Sequence, residues 1–246
     1  MQYRASNYNA ITPMVKNLLI VNGLMFLIKV VYAQKFGKDL NDILGLHNPI
    51  MSGDFKPWQI LTHFFMHHDL AHLFSNMLGL FFFGRMLEIR WGGQRFLYFY
   101  MITAFFAALL HFGVQQLEIM SLTSSINPDI VESIRTGINI ESVPDTYQNA
   151  KLYSLIHSVS YGASGAIFGI LGACFVLFPN TILYLIFPPI PIKLKVAVTL
   201  YGLYELYRGI QNNPADNVAH FAHLGGLVAG IIIVKYWNKT RRDSFY

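Results

Sequence analysis

The sequence predicts an all-α membrane protein: a bundle of six transmembrane helices packed around a short, central fourth helix. Three observations carry that prediction. Of 246 residues, 54% are hydrophobic and only 13% are charged, against about 25% charged in an ordinary soluble domain. Six apolar runs succeed one another along the chain, and a spanning helix needs about 20 such residues. The fourth and sixth runs also carry glycine and alanine at helical spacing, the pattern that lets membrane helices approach closely. Residues 1–246 therefore read as one domain, with little chain left for a soluble one.

Met14 to Ala33 is the first span candidate, after a short polar N-terminus of residues 1–13. No small-residue cleavage site follows it, so it reads as a retained anchor. Lys29 inside it is expected to snorkel towards an interface. Residues 34–66 mix charges, prolines and aromatics, which suits a partly embedded interfacial loop. The second span is expected from about His67 to Leu87 and the third from about Arg95 to Val114, with a short basic turn between Gly84 and Gly92. Residues 115–160 form the longest polar stretch, with five acidic residues against Arg135 and Lys151. An extramembrane loop is the reading there.

The fourth span starts near Ser164 and must stop by Pro179. A helix of that length covers roughly 24 Å, less than the roughly 30 Å hydrocarbon core. Ser164 is thus expected below the membrane surface, after a loop that dips inward. Such backbone is tolerated only where it is buried in protein or lines a wet cavity. The fifth span, about Lys195 to Ile210, follows a turn with Pro188, Pro189 and Pro191, and the sixth runs from about Asn217 to Trp237 before a basic tail at 238–246.

The formal charge of +5 is scattered between apolar segments, which argues against a nucleic-acid partner. A single cysteine, Cys174, excludes an intrachain disulfide. Lysine and arginine near span ends set orientation. With both termini cytoplasmic, that side gathers Arg4, Lys16, Arg85, Arg90, Arg95, Lys193, Lys195, Lys235, Lys239, Arg241 and Arg242, against Lys35, Lys38, Lys56, Arg135, Lys151 and Arg208 opposite. An integral protein of a bacterial-type plasma (inner) membrane is therefore expected, both termini cytoplasmic. Ser164 and His223 then share the extracytoplasmic leaflet.

Polar side chains inside spans default to functional hypotheses. His67, His68, His72 and Asn76 follow His63 in the second span, and spacings of four put His68, His72 and Asn76 on one helical face. A metal site is conceivable there, but no His-Glu-x-x-His and no carboxylate accompany the histidines. Polar groups lining a cavity are the favoured reading, and no metal or other cofactor is implied. Ser164 lies in Gly162-Ala163-Ser164-Gly165, where serine among glycines is often a packing residue. At a helix start, however, the N–H groups of Ser164 and Gly165 are free to face a developing oxyanion. His223 opens an apolar stretch of the sixth span, and Ala222, Gly226 and Gly230 form a small-residue stripe around it. Close approach of the two slim helices would bring His223 within reach of the Ser164 proton. Asp216 is the nearest carboxylate in sequence, and a Ser–His dyad is preferred to a triad.

Together these residues resemble the rhomboid family of intramembrane serine proteases, across all six predicted spans. Gly162-Ala163-Ser164-Gly165 is similar to the family's Gly-x-Ser-Gly, and Ala222-His223 with Gly226 and Gly230 to its Ala-His-x-x-Gly-x-x-x-Gly. His72 with Asn76 is similar to its His-x-x-x-Asn, and Gly84 with Glu88 to its Gly-x-x-x-Glu. The resemblance implies a water-filled site opening on the extracytoplasmic side, with Ser164 as nucleophile and His223 as general base and acid. It further implies His72 and Asn76 as oxyanion donors beside the backbone of Ser164 and Gly165. Phe168 would be the ring platform beneath the histidine, where some members have tyrosine, and Glu88 a structural hydrogen-bonding residue. His67, Gly162 and Gly226 complete the supporting set.

Two departures stand out. Trp58-Gln59 replaces the family's frequent Trp-Arg in the first loop, and the 115–160 loop is long. The implied partners are transmembrane protein substrates and the lipid bilayer. The fifth span, with Tyr201, Tyr204 and Tyr207, resembles the family's lateral gate. Rival readings are a non-enzymatic helix-binding relative, disfavoured by the presence of both Ser164 and His223, and a small transporter, disfavoured by the lack of a visible repeat. An aspartyl protease is disfavoured too, because the only Gly-Asp, Gly53-Asp54, lies in the first loop.

Overall fold

A computed structural model describes residues 11–184, 190–211 and 218–242. Asp216, Asn217, Pro188, Pro189 and Arg4 lie outside the described residues. The described residues are mostly helical and include one short antiparallel ribbon, β1 (Ile182–Tyr184) with β2 (Pro191–Lys193).

Helix α1 (Pro13–Phe36) begins on proline, whose missing N–H a first turn does not need. The N–H groups of Met14 and Val15 donate to the Glu88 carboxylate at 2.8 Å each, which puts negative charge at the positive end of the helix. Lys29 does not snorkel outward. It is buried, and its ammonium donates to the carbonyls of His67 at 2.9 Å and His68 at 2.5 Å.

The first loop contains α2 (Asn41–Leu44) and α3 (Gln59–Thr62). Gln59, which stands where an arginine was expected, is buried and anchors that loop through its amide. Its oxygen accepts from Lys56 N at 3.0 Å, and its nitrogen donates to the carbonyls of Ile43 at 3.3 Å and Asp54 at 3.2 Å.

Helix α4 (Leu70–Gly79) starts at Asp69, which caps it by accepting from His72 N at 2.7 Å. A π-helical turn, Leu80–Gly84, joins it to α5 (Arg85–Trp91) in one apolar rod of 22 residues. The basic turn expected from Gly84 is therefore helix, and the chain reverses instead at Gly92, whose φ of 79° suits glycine. Helix α6 (Gly93–Thr123) has 31 residues, roughly 46 Å, and so outruns the expected third span. It meets α7 (Pro128–Thr136) and α8 (Tyr147–His157) in a small separate core of Ile119, Ile126, Ile134, Leu152 and Ile156. The polar 115–160 stretch is thus largely helical and packed.

Helix α9 (Ser164–Leu177) has 14 residues, roughly 21 Å, and every residue from Gly165 to Cys174 is buried. The short fourth helix is therefore the centre of the bundle. Helices α10 (Leu194–Gln211) and α11 (His220–Arg242) follow it.

Among the described residues four helices are long and apolar enough to cross a membrane: Pro13–Phe36, Leu70–Trp91, Gly93–Thr123 and His220–Thr240. The protein is a helical integral membrane protein. Helix α9 is apolar but shorter, and α10 carries Lys195, Glu205 and Arg208 within its 18 residues. Glycine sets the contact between α9 and α11. A Cβ on Gly226 would run into the Gly165 carbonyl, one on Gly230 into the Gly169 carbonyl, and one on Gly172 into that of Leu227.

Candidate active site

The close seam between α9 and α11 fixes where two side chains meet. Ser164 is the first residue of α9, and His223 lies in the first turn of α11, three residues before Gly226. Ser164 Oγ stands 2.9 Å from His223 Nε2. The His223 ring lies flat on Phe168, with centroids 4.2 Å apart and planes at 8°. Phe168 is one helical turn after Ser164, so one helix supplies both the hydroxyl and the ring platform.

The backbone before Ser164 is positioned from the first loop. Leu46 and Ser160 form a β-bridge, and Gly162 N donates to the His63 carbonyl at 3.0 Å. Gly162 has a φ of 124°, and a Cβ there would lie 2.9 Å from His72 Cε1. Glycine is needed on both counts. The first bond of the α9 ladder is Ile167 N to Ala163 O, so the N–H groups of Ser164 and Gly165 precede the ladder.

The polar row expected on one face of the second span divides, because α4 starts only at Leu70 and His63, His67 and His68 precede it. His63 Nδ1 donates to the Gln59 carbonyl at 2.8 Å, and His68 pairs with Asp69 at 3.1 Å on an exposed surface. His67 is fully buried and edge-on to His72, centroids 5.1 Å apart. His72 and Asn76 line the same cavity as Ser164 and His223. Asn76 is buried, and its Nδ2 has no hydrogen-bond partner, which is unusual for a buried amide donor. That cavity measures about 1510 Å³ and is bordered by Phe82 of the α4–α5 rod and Tyr204 of α10. Gly226 forms the seam rather than the wall, and Glu88 lies away from the cavity at the start of α1.

The only carboxylate the sequence offers near His223, Asp216, lies outside the described residues, and the structure sets Glu205 beside the ring instead. Glu205 on α10 is 2% exposed. Its Oε2 lies 2.9 Å from His223 Nδ1 and 2.6 Å from His220 Nδ1. A carboxylate only accepts, so both Nδ1 atoms carry protons, and in its neutral form the His223 ring presents the lone pair of Nε2 to the serine. The signal available in the sequence was a lone glutamate inside a predicted span.

Glu205, His220 and His223 are also the described residues best placed for a metal, with ligand atoms within 4.8 Å of one another. Tetrahedral zinc bound at about 2.0–2.1 Å would hold such ligands roughly 3.3 Å apart. Contacts of 2.6 and 2.9 Å are those of shared protons, so the group reads as hydrogen-bonded.

A family model described as "Rhomboid domain" matches residues 54–239. The chain is 28% identical to the Arabidopsis thaliana "RHOMBOID-like protein 12, mitochondrial" over 94% of its own length and 59% of that protein's. It is 23% identical to "Rhomboid-like protease 3" of Toxoplasma gondii, covering 89% of this chain and 67% of that protein. With "Rhomboid protease AarA" of Providencia stuartii it shares 24% identity, covering 88% of this chain and 69% of the relative. It spans 33% of the Arabidopsis thaliana "RHOMBOID-like protein 1".

Proposed function

The chain belongs to the rhomboid family, and from that premise we propose that it is an intramembrane serine protease cutting peptide bonds in or near transmembrane segments of membrane-protein substrates. The observation that carries this reading is the 2.9 Å contact of Ser164 Oγ with His223 Nε2, over a ring stacked on Phe168.

His223 Nε2 takes the hydroxyl proton as Ser164 Oγ bonds to the scissile carbonyl carbon, and the carbonyl oxygen becomes an oxyanion. The unpaired Asn76 amide, His72 and the N–H groups of Ser164 and Gly165 are the donors for that charge. The proton then passes from Nε2 to the leaving amine as the C–N bond breaks, leaving an acyl-serine. Water, deprotonated by the same ring, releases the acid and restores Ser164. No cofactor is needed for any of these steps.

The reading also takes six spans, with α9 and α10 as the fourth and fifth. Both termini are cytoplasmic and the cavity opens on the other face of a bacterial-type plasma membrane, as the charge bias argues. A substrate helix enters between the α4–α5 rod and α10, which both line the cavity and expose aromatic rings, Phe74 and Phe82 on one side and Tyr201 and Tyr204 on the other. The test is cleavage of a model transmembrane substrate by purified protein. Ser164→Ala and His223→Ala are each expected to abolish it with the fold intact, and activity surviving Ser164→Ala would refute the mechanism.

A further inference from the structure

We infer that Glu205 is the positioning carboxylate of His223, so that the reactive pair is complete only while α10 packs against α11. The inference rests on the protease reading and adds to it a third member brought by a different helix.

His220 and His223 are one turn apart on α11 and face the same neighbour. Both donate to a single oxygen of Glu205. A buried carboxylate without partners is strongly disfavoured, and here two ring N–H groups provide them. The arrangement has a chemical consequence for each ring. The hydrogen bond to His223 Nδ1 fixes the tautomer in which Nε2 is free to accept the serine proton, and the negative charge stabilises the imidazolium formed when it does. The bond to His220 braces the carboxylate, so that Oε2 is not free to turn away from His223.

Helix α10 reaches the ring by a second route. Tyr201, one turn before Glu205, packs on Phe168 with centroids 4.8 Å apart, and Phe168 is the platform under His223. One helix thus holds the imidazole at its edge and supports its face. Any outward displacement of α10 carries the carboxylate and the Tyr201 ring away together.

The test compares purified wild-type protein with Glu205→Gln and Glu205→Ala on one transmembrane substrate. Glu205→Gln is expected to lower kcat on the order of 10²- to 10⁴-fold with KM unchanged. Because Glu205 lines the cavity, added formate should restore part of the activity of Glu205→Ala, whereas neutral formamide should not. A purely structural role would give no such charge-specific rescue.

Wild-type cleavage matched by Glu205→Gln, or rescue by formamide equal to that by formate, overturns the positioning role and leaves the protease reading standing. A wild-type protein that cuts nothing removes the protease reading and this inference with it. Should Glu205→Gln and Glu205→Ala fail to fold, Glu205→Asp decides. It keeps the charge but draws it back from Nδ1, so Ser164 should react more slowly with a fluorophosphonate, and an unchanged rate overturns the inference.

Discussion

Helices α11 and α10 both bring side chains to the N-terminal end of α9, and they do so by different physics. Helix α11 meets it backbone to backbone, because Gly226 and Gly230 leave no side chain between the chains. Helix α10 meets the same region through side chains: Glu205 on His223 and Tyr201 on Phe168. A glycine seam cannot yield by rotating a side chain, so it fixes the Ser164–His223 distance. A side-chain contact can open and close. On the proposed mechanism the reactive pair is built on the glycine seam, and the carboxylate beside it is held by side-chain contacts.

The contrast can be broken first at the seam. Gly226→Val places branched carbon against the Gly165 carbonyl, and overpacking of this kind costs about 1–3 kcal/mol or more. Complete loss of cleavage and a lower melting temperature are expected, although Gly226 touches no substrate. A variant that cleaves normally would show that the seam is not what sets the distance. Next comes the far wall of the cavity. Asn76→Ala removes one oxyanion donor and should lower turnover by about 3 to 4 kcal/mol in barrier without altering stability, which parallel kinetic and thermal measurements would check.

A smaller effect is expected on α10. Tyr201→Ala loses an aromatic contact worth about 0.5–1.5 kcal/mol, so kcat should fall by roughly two- to tenfold while the melting temperature stays close to that of wild type. If Tyr201→Ala proved as damaging as Gly226→Val, the distinction between the glycine seam and the side-chain contact would be lost. A crosslink between α4 and α10 should block cleavage of a transmembrane substrate, and unchanged cleavage would remove the proposed entry route.

The seam was legible because small residues every four positions state a helix contact directly. Gly162-Ala163-Ser164-Gly165 and His223 with Gly226 and Gly230 carry their own geometry. The shortness of α9 followed from the distance between Ser164 and Pro179. Glu205 is not legible by spacing, since its partners lie 15 and 18 residues on, in another helix. In the sequence, Glu205 stands as a lone carboxylate within the aromatic stripe of Tyr201, Tyr204 and Tyr207.

Charge misled in two further places. Arg85, Glu88 and Arg90 suggested a turn after Gly84, but Glu88 faces inward to cap α1, and the helix continues to Trp91. Lys29 is expected to snorkel, yet two backbone carbonyls hold its ammonium inside the protein. The hub formed by Gln59 is a side-chain network whose members lie up to 16 residues apart, and no periodicity announces it.

The central claim is that His223 activates Ser164. Its most direct measurement is covalent labelling of the purified protein by a fluorophosphonate, with the modified residue located by mass spectrometry. The account predicts a single adduct on Ser164 in the wild-type protein and none in His223→Ala. Labelling at another serine, or equal labelling of Ser164 without His223, would contradict it.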